Sequence, residues 1–202
     1  SPRIPAPVPV RGGVICEPRP YHQCYFSLGI PAPAYTDSRR YDVHVLNQIV
    51  GGGVSSRLFR RLREQAGLVY EIHSEYHAYR DTGLWTVEGS ATQEAILEVI
   101  VAVLDTLRHT LSDEPADEGE LQRAKIQLRA QHILSGEDAH TRMSRLATQH
   151  LYFGRHLPAA GVLRDIEAVD SRSLQELASV LETGLASASL AVLSPPLGGL
   201  PT

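Results

Sequence analysis

Three stretches of this sequence carry residue types able to do chemistry. In His73-Ser74-Glu75-Tyr76-His77, two imidazoles and a carboxylate alternate. The helical zinc signatures put the glutamate directly after the first histidine or directly before the second. Here it stands midway, which fits neither. Tyr76, Tyr79 and the turn that follows favour a strand. On a strand His73, Glu75 and His77 point to one face, with next-but-one residues about 6.6 Å apart. Two of them can share a metal or a small ligand, whereas three would be strained. The competing reading is a solvated polar sheet face. The other histidines, from His22 to His156, are scattered singly, so no metal site is expected in this chain.

The second stretch is Gly51-Gly52-Gly53-Val54-Ser55-Ser56. It lacks the Gly-Lys-Ser/Thr ending of a phosphate loop, and it follows a helical pattern where such a loop follows a strand. The G-x-S-x-G pattern of a nucleophile elbow is absent as well. Three glycines permit a sharp helix-to-helix turn and close backbone approach. They also leave free N–H groups at the start of the next helix, suited to a peptide carbonyl or an anion. Gly51, Gly52 and Gly53 are therefore a candidate substrate-backbone turn, with a plain turn as the alternative.

The third stretch holds Arg57, Arg60, Arg61 and Arg63 on one short helix. Such a run is ordinarily a solvated basic face. Arg63, however, is followed by Tyr70 where helix gives way to strand. An arginine and a tyrosine converging there supply a fixed cation and a phenolic donor. Both can stabilise an oxyanion as a peptide carbonyl becomes tetrahedral. Strand parity bears on Tyr70. If the strand is regular from Leu68, Tyr70 shares a face with Ile72, Ser74 and Tyr76, opposite His73, Glu75 and His77. Tyr70 then precedes the regular pairing, is re-aimed by a bulge, or is a packed core tyrosine.

The elements that must position these residues follow from periodicity. Short strands are expected at 14–17 and 24–30, the second alternating Cys24, Phe26, Leu28 and Ile30 on one face. Asp37 or Ser38 caps a helix to about Val50, and a second helix runs from Ser55 or Ser56 to about Gln65. A strand over 68–79, the turn Asp81-Thr82-Gly83 and a strand over 84–90 form a hairpin. An amphipathic helix over 93–112 follows, then helices near 117–134, 139–154 and 171–183 and a last strand over 190–193. Hairpins mixed with helix clusters predict an α+β, two-layer sandwich: an antiparallel (mixed) sheet with helices covering one face.

Residues 1–11 are proline-rich and read as a linker, 12–194 as the domain, and 195–202 as a Pro/Gly tail. The chain opens on Ser1 and its single methionine is Met143, so it reads as a fragment or processed product. With 43% hydrophobic and 21% charged residues, 202 residues can bury one sizeable core. A net charge of -4 argues against nucleic acid as a partner. No apolar run is long enough to span a membrane. Cys16 and Cys24 either face each other across a hairpin near Pro20 or are two reduced, strand-packed thiols.

The segments Gly51-Gly52-Gly53-Val54-Ser55-Ser56-Arg57-Leu58-Phe59 and Leu62-Arg63-Glu64-Gln65-Ala66-Gly67-Leu68-Val69-Tyr70 resemble the pitrilysin/insulinase zinc metallopeptidase family, which includes the processing peptidases. The likeness is to the C-terminal, non-catalytic half and spans about residues 12–193. In that family two similar halves close like a clamshell around a peptide. The N-terminal half holds Zn2+ through H-x-x-E-H, a motif this chain lacks. The resemblance implies that Arg63 and Tyr70 contact the substrate backbone and support the transition state. It implies a catalytic N-terminal half or partner subunit as partner, a peptide as substrate, and no catalytic residue in this chain. The open sheet face, with Tyr25, His73, Glu75 and His77, would line the chamber. The family also holds members that have lost catalysis and serve as assembly subunits, which is the alternative. Similar bacterial proteins are often exported, so the periplasm is one compartment the likeness allows; the sequence itself fixes none.

Overall fold

The computed structural model describes residues 12–196. The linker expected over 1–11 and most of the tail expected over 195–202 lie outside the described residues. Five strands, β1 (Val14–Pro18), β2 (Cys24–Ala32), β3 (Glu71–Ala78), β4 (Gly83–Ala91) and β5 (Ser189–Ser194), form one sheet in the order β1-β5-β2-β4-β3. All pairings are antiparallel except β1 with β5, which is parallel. The helices are α1 (Arg40–Val50), α2 (Ile96–Arg108), α3 (Glu118–Leu134), α4 (Ala139–Phe153), α5 (Ala159–Glu167) and α6 (Ser171–Leu185). Helix α6 lies on β2, α1 on β3 and α2 on β4, while α3 and α5 pack against α1. The molecule is thus the α+β sandwich with a mixed sheet that the element order predicts.

Alternation sets the core. Cys24, Phe26, Leu28 and Ile30 of β2 face the helices, and register places Val87 beside Leu28 and Trp85 beside Ile30. Val43, Leu46 and Val50 of α1, Val99 and Leu107 of α2, and Leu177 and Leu181 of α6 close over them. Fully burying a side chain of this size contributes roughly 1.5–3 kcal/mol. One polar knot sits among them. The Asn47 Oδ1 accepts from Trp85 Nε1 at 2.8 Å and from Ser74 Oγ at 2.7 Å, joining α1 to β3 and β4. Nearby, the Tyr76 hydroxyl donates to the Pro33 carbonyl at 2.6 Å, and burial pushes its pKa up to about 12.

Helix ends follow local chemistry. Asp117 and Glu120 form a reciprocal capping box at the start of α3, and Asp170 with Ser173 does the same for α6. Asp138 caps α4 by accepting from the Thr141 N–H at 2.6 Å.

Several details differ from the sequence expectation. The helix expected over 55–65 is π-helical over Phe59–Gln65, and the one expected over 93–112 is α2 continued by a π-helical turn, His109–Asp113. Helix α5 has no counterpart in the periodicity reading; it is short, and only Val162 and Ile166 of it are buried. Strand β3 begins at Glu71, three residues later than expected. Cys16 and Cys24 do not face each other across a hairpin, because β5 lies between β1 and β2; both thiols are free, Cys16 exposed and Cys24 buried.

Candidate functional site

The π-helical turn Phe59–Gln65 is wider than an α-helix: the Ala66 N–H donates to the carbonyl of Arg61, five residues back, at 3.2 Å. Gly67 then takes φ +64, a left-handed conformation that strains any residue with a Cβ. A bend at Tyr70 then breaks the side-chain alternation before β3. Val69 is buried at 6% exposure, and Tyr70, one residue before β3, is 78% exposed. Of the three placements open from parity, the structure has the first: Tyr70 precedes the regular pairing.

Arg63 and Tyr70 do meet. Arg63 Nη1 donates to the Tyr70 carbonyl at 2.5 Å. The Arg63 guanidinium carbon lies 5.2 Å from the centre of the Phe59 ring and 6.0 Å from that of Tyr70. These distances suit cation–π attraction to Phe59 and mark the edge of its range for Tyr70. One hydrogen bond and two rings thus fix the cation. Among the described residues Arg63 makes no other hydrogen bond, so the rest of its N–H fork remains open.

Arg57 parts company with its neighbours. It is largely buried and binds Glu120 through two parallel bonds, Nε to Oε1 at 2.9 Å and Nη2 to Oε2 at 2.6 Å. Nη1 also donates to the Glu114 carbonyl at 2.6 Å. Hydrogen bonding to Glu120 raises the Arg57 pKa, and the same bond holds the Glu120 carboxyl low against the burial that would raise it. Arg57 therefore ties the loop after the glycines to the capped end of α3. Arg60 and Arg61 are exposed, as the basic-face reading expects.

The glycine turn serves packing first. A Cβ on Gly51 would come within 2.4 Å of Ser74 Oγ, because the Gly51 carbonyl accepts from the Ser74 N–H at 3.1 Å. The Gly51 N–H is spent on the Asn47 carbonyl at 2.9 Å. The Gly52 carbonyl accepts from Gln48 Nε2 at 3.0 Å, and that nitrogen also bonds Gln127 Oε1 at 2.8 Å. Gly53 is exposed, and a Cβ there would meet Gln48 Nε2 at 3.8 Å, an ordinary contact distance. Ser74 lies roughly 13 Å along β3 from Tyr70, so Gly51 and the Arg63–Tyr70 pair occupy separate places.

The uncovered sheet face carries Tyr25, Ser27, His73, Glu75, His77 and Glu88. Ser27 Oγ donates to Glu88 Oε1 at 3.0 Å. His73 Nε2 stands 3.9 Å from Glu88 Oε2, and His77 Nε2 stands 3.4 Å from Glu75 Oε2 and 3.3 Å from Thr86 Oγ1. The two imidazoles thus have different carboxylate partners. Among the described residues, no group of three or more His, Cys, Asp or Glu side chains is placed to hold a metal ion.

This fold is that of a known class. The peptidase M16 inactive domain model matches residues 1–128, and the chain belongs to that family. An uncharacterized zinc protease of Bacillus subtilis, YmxG, is 31% identical over 180 residues, which are 89% of this chain and 43% of the relative. An uncharacterized zinc protease of Mycobacterium bovis is 34% identical over 160 residues, 79% of this chain and 36% of the relative. The chain therefore spans less than half the length of these relatives. Among solved structures, a peptidase M16 inactive domain from Pseudomonas fluorescens shares the fold with a TM-score of 0.80 at 19% identity, over 98% of this chain and 47% of that one. A chain of complex III2 from Candida albicans does so with 0.81 at 16%, over 91% and 46%.

Proposed function

We propose that this non-catalytic domain forms the substrate-binding side of a peptidase chamber, completed by a catalytic N-terminal half or partner subunit that holds zinc. The observation that carries the reading is the convergence of Arg63 and Tyr70 just ahead of β3, with the guanidinium fixed and the phenol exposed. Zinc in the partner half would polarise the scissile carbonyl and activate a water. The residues of this chain do the positioning. Arg63 presents its open N–H fork and Tyr70 its hydroxyl, two donors for a carbonyl oxygen that gains negative charge. Arg63 is held before substrate arrives, so its part in the reaction needs little reorganisation. Gly53, the exposed glycine of the turn, is the part of it open to a peptide backbone, although its carbonyl already accepts from the Ser56 N–H at 3.0 Å. The uncovered sheet face lines the chamber.

The test combines the chain with its catalytic half and measures kcat and KM on a peptide. Arg63→Ala and Tyr70→Phe should each lower kcat about 100-fold, as loss of an oxyanion donor does, with a smaller change in KM. Unchanged turnover in the double variant would overturn the reading and leave the assembly-subunit role in its place.

A further inference from the structure

A cleft of about 450 Å³ opens in the helical layer between α1, α3, α4 and α5, within the size range of small-molecule sites. The helical layer covers the face of the sheet opposite His73, Glu75 and His77, so the cleft is separate from the chamber proposed above. Its walls carry the guanidinium groups of Arg40 and Arg145, and no Asp or Glu is among the residues that line it. Arg145 donates from Nη2 to Ser135 Oγ and has no carboxylate partner among the described residues. Arg40 lies over the Tyr41 ring at 4.2 Å, donates from Nη1 to the Asp37 carbonyl at 3.3 Å, and holds Nη2 4.0 Å from the half-exposed Asp165 carboxylate. Both cations act on the same space: each draws down the pKa of the Tyr35 phenol, which burial raises.

Two further groups lack partners of the right kind. His132 Nε2 is buried without a hydrogen bond. Gln149 is 2% exposed and spends its carbonyl oxygen on the Leu157 N–H at 3.0 Å and on His156 Nδ1 at 2.9 Å. Its amide N–H groups have no acceptor among the described residues. Leu128, Val162 and Ile166 supply an apolar wall. A buried polar atom without a partner, as at His132 Nε2, is costly, and cations facing a partly enclosed cleft favour an anion there.

We propose that this cleft binds an organic carboxylate, with its anionic head between Arg40 and Arg145, facing Gln149 and His132, and its apolar body on Leu128, Val162 and Ile166. Such a group is carried by a small free acid or by the carboxyl end of a peptide. Calorimetric titration of the purified chain at low salt distinguishes them. The probes are 3-phenylpropionate and its uncharged amide, and the tripeptide Ala-Ala-Phe with a free or an amidated carboxyl end.

At least one acid should bind about tenfold or more tightly than its own amide, since a charge-assisted pair with Arg is lost. Tighter binding of the tripeptide would support the proposal with peptide ends as the source, and tighter binding of 3-phenylpropionate would support it with free acids. Arg145→Gln should weaken the bound acid about tenfold while the far-ultraviolet circular dichroism stays the same. If that variant does not fold, the acid-against-amide comparison on the native chain decides alone. Equal binding of acid and amide would overturn the proposal, as would no binding of either acid up to about 10 mM, weaker than even modest ligand efficiency allows.

Discussion

The imidazole of His44 meets the Tyr76 ring edge-on, 5.0 Å between centres, and its accessible edge lines the cleft in the helical layer. Burial is the first cause that lowers its pKa, from 6.5 to about 4, and the nearby Arg40 cation adds to it. Between those values the unfolded chain holds a proton that the folded chain rejects, so stability rises with pH across that window. The contribution is complete above the unfolded value and is lost as pH falls toward 4; it amounts to about 3 kcal/mol at most. The lowered pKa of His132 works in the same direction, while that of Asp42, raised by burial, opposes it at the acid end. The urea midpoint should therefore fall steadily from pH 6.5 to pH 4. His44→Phe keeps the ring contact with Tyr76 and should flatten most of that slope; an unchanged slope would assign the titration to another group.

Arg57 belongs to the scale of elements, because its work is to join two of them. With side chains only 17% and 13% exposed, the Arg57–Glu120 pair holds the start of the π-helical turn to the first turn of α3. Removing one partner leaves the other charge uncompensated, so Arg57→Ala should cost about 3 kcal/mol in urea unfolding. The double variant Arg57→Met/Glu120→Leu should cost less than Arg57→Ala alone, because no buried charge is then left over. A single-variant loss below about 1 kcal/mol would mean the pair behaves as a surface bridge.

The sequence could not single out Arg57 from Arg60 and Arg61, since its partner lies 63 residues away and only folding brings it near. What was legible is local. The alternation of Cys24, Phe26, Leu28 and Ile30 gives β2, Asp81-Thr82-Gly83 gives the β3–β4 hairpin, and the apolar pattern over 93–112 gives α2, but the stripe it suggests, Ile96, Leu97, Ile100, Val101, Leu104 and Leu107, is partly out of phase: Leu97 and Val101 are exposed, and Val99 and Val103 are buried beside Ile96 and Leu107. Tyr70 was ambiguous because alternation extends smoothly through it in the sequence, whereas in the fold the phase breaks at a bend at Tyr70, between buried Val69 and buried Ile72. At the candidate site, spacing alone suggested that Arg63 and Tyr70 lie near one another; the bond from Arg63 to the Tyr70 backbone carbonyl and the rings of Phe59 and Tyr70 beside the cation needed the folded turn.

At the scale of the whole molecule, this domain accounts for less than half the length of its curated relatives and presents one open polar sheet face. Under the proposed function the purified chain should not cleave a peptide when zinc is supplied, and cleavage should appear once the catalytic half is added. Hydrolysis by the chain alone that a chelator abolishes would contradict that division of labour.

The strand order β1-β5-β2 has a further consequence for how the molecule comes to exist. The last of the described strands, β5, is the one that fits between the first two of them, with Cys16 and Phe26 both registered against Val192. During synthesis β2 can pair early with β4, but β1 has no sheet to join until residues 189–194 have left the ribosome. The hairpin, α1 and the segment through α3 can gather first, while completion of this edge waits for residues 189–194. Such late, long-range closure is slow and leaves sheet edges unpaired in the meantime. The nascent domain is therefore most exposed to misassembly just before translation of β5 is finished.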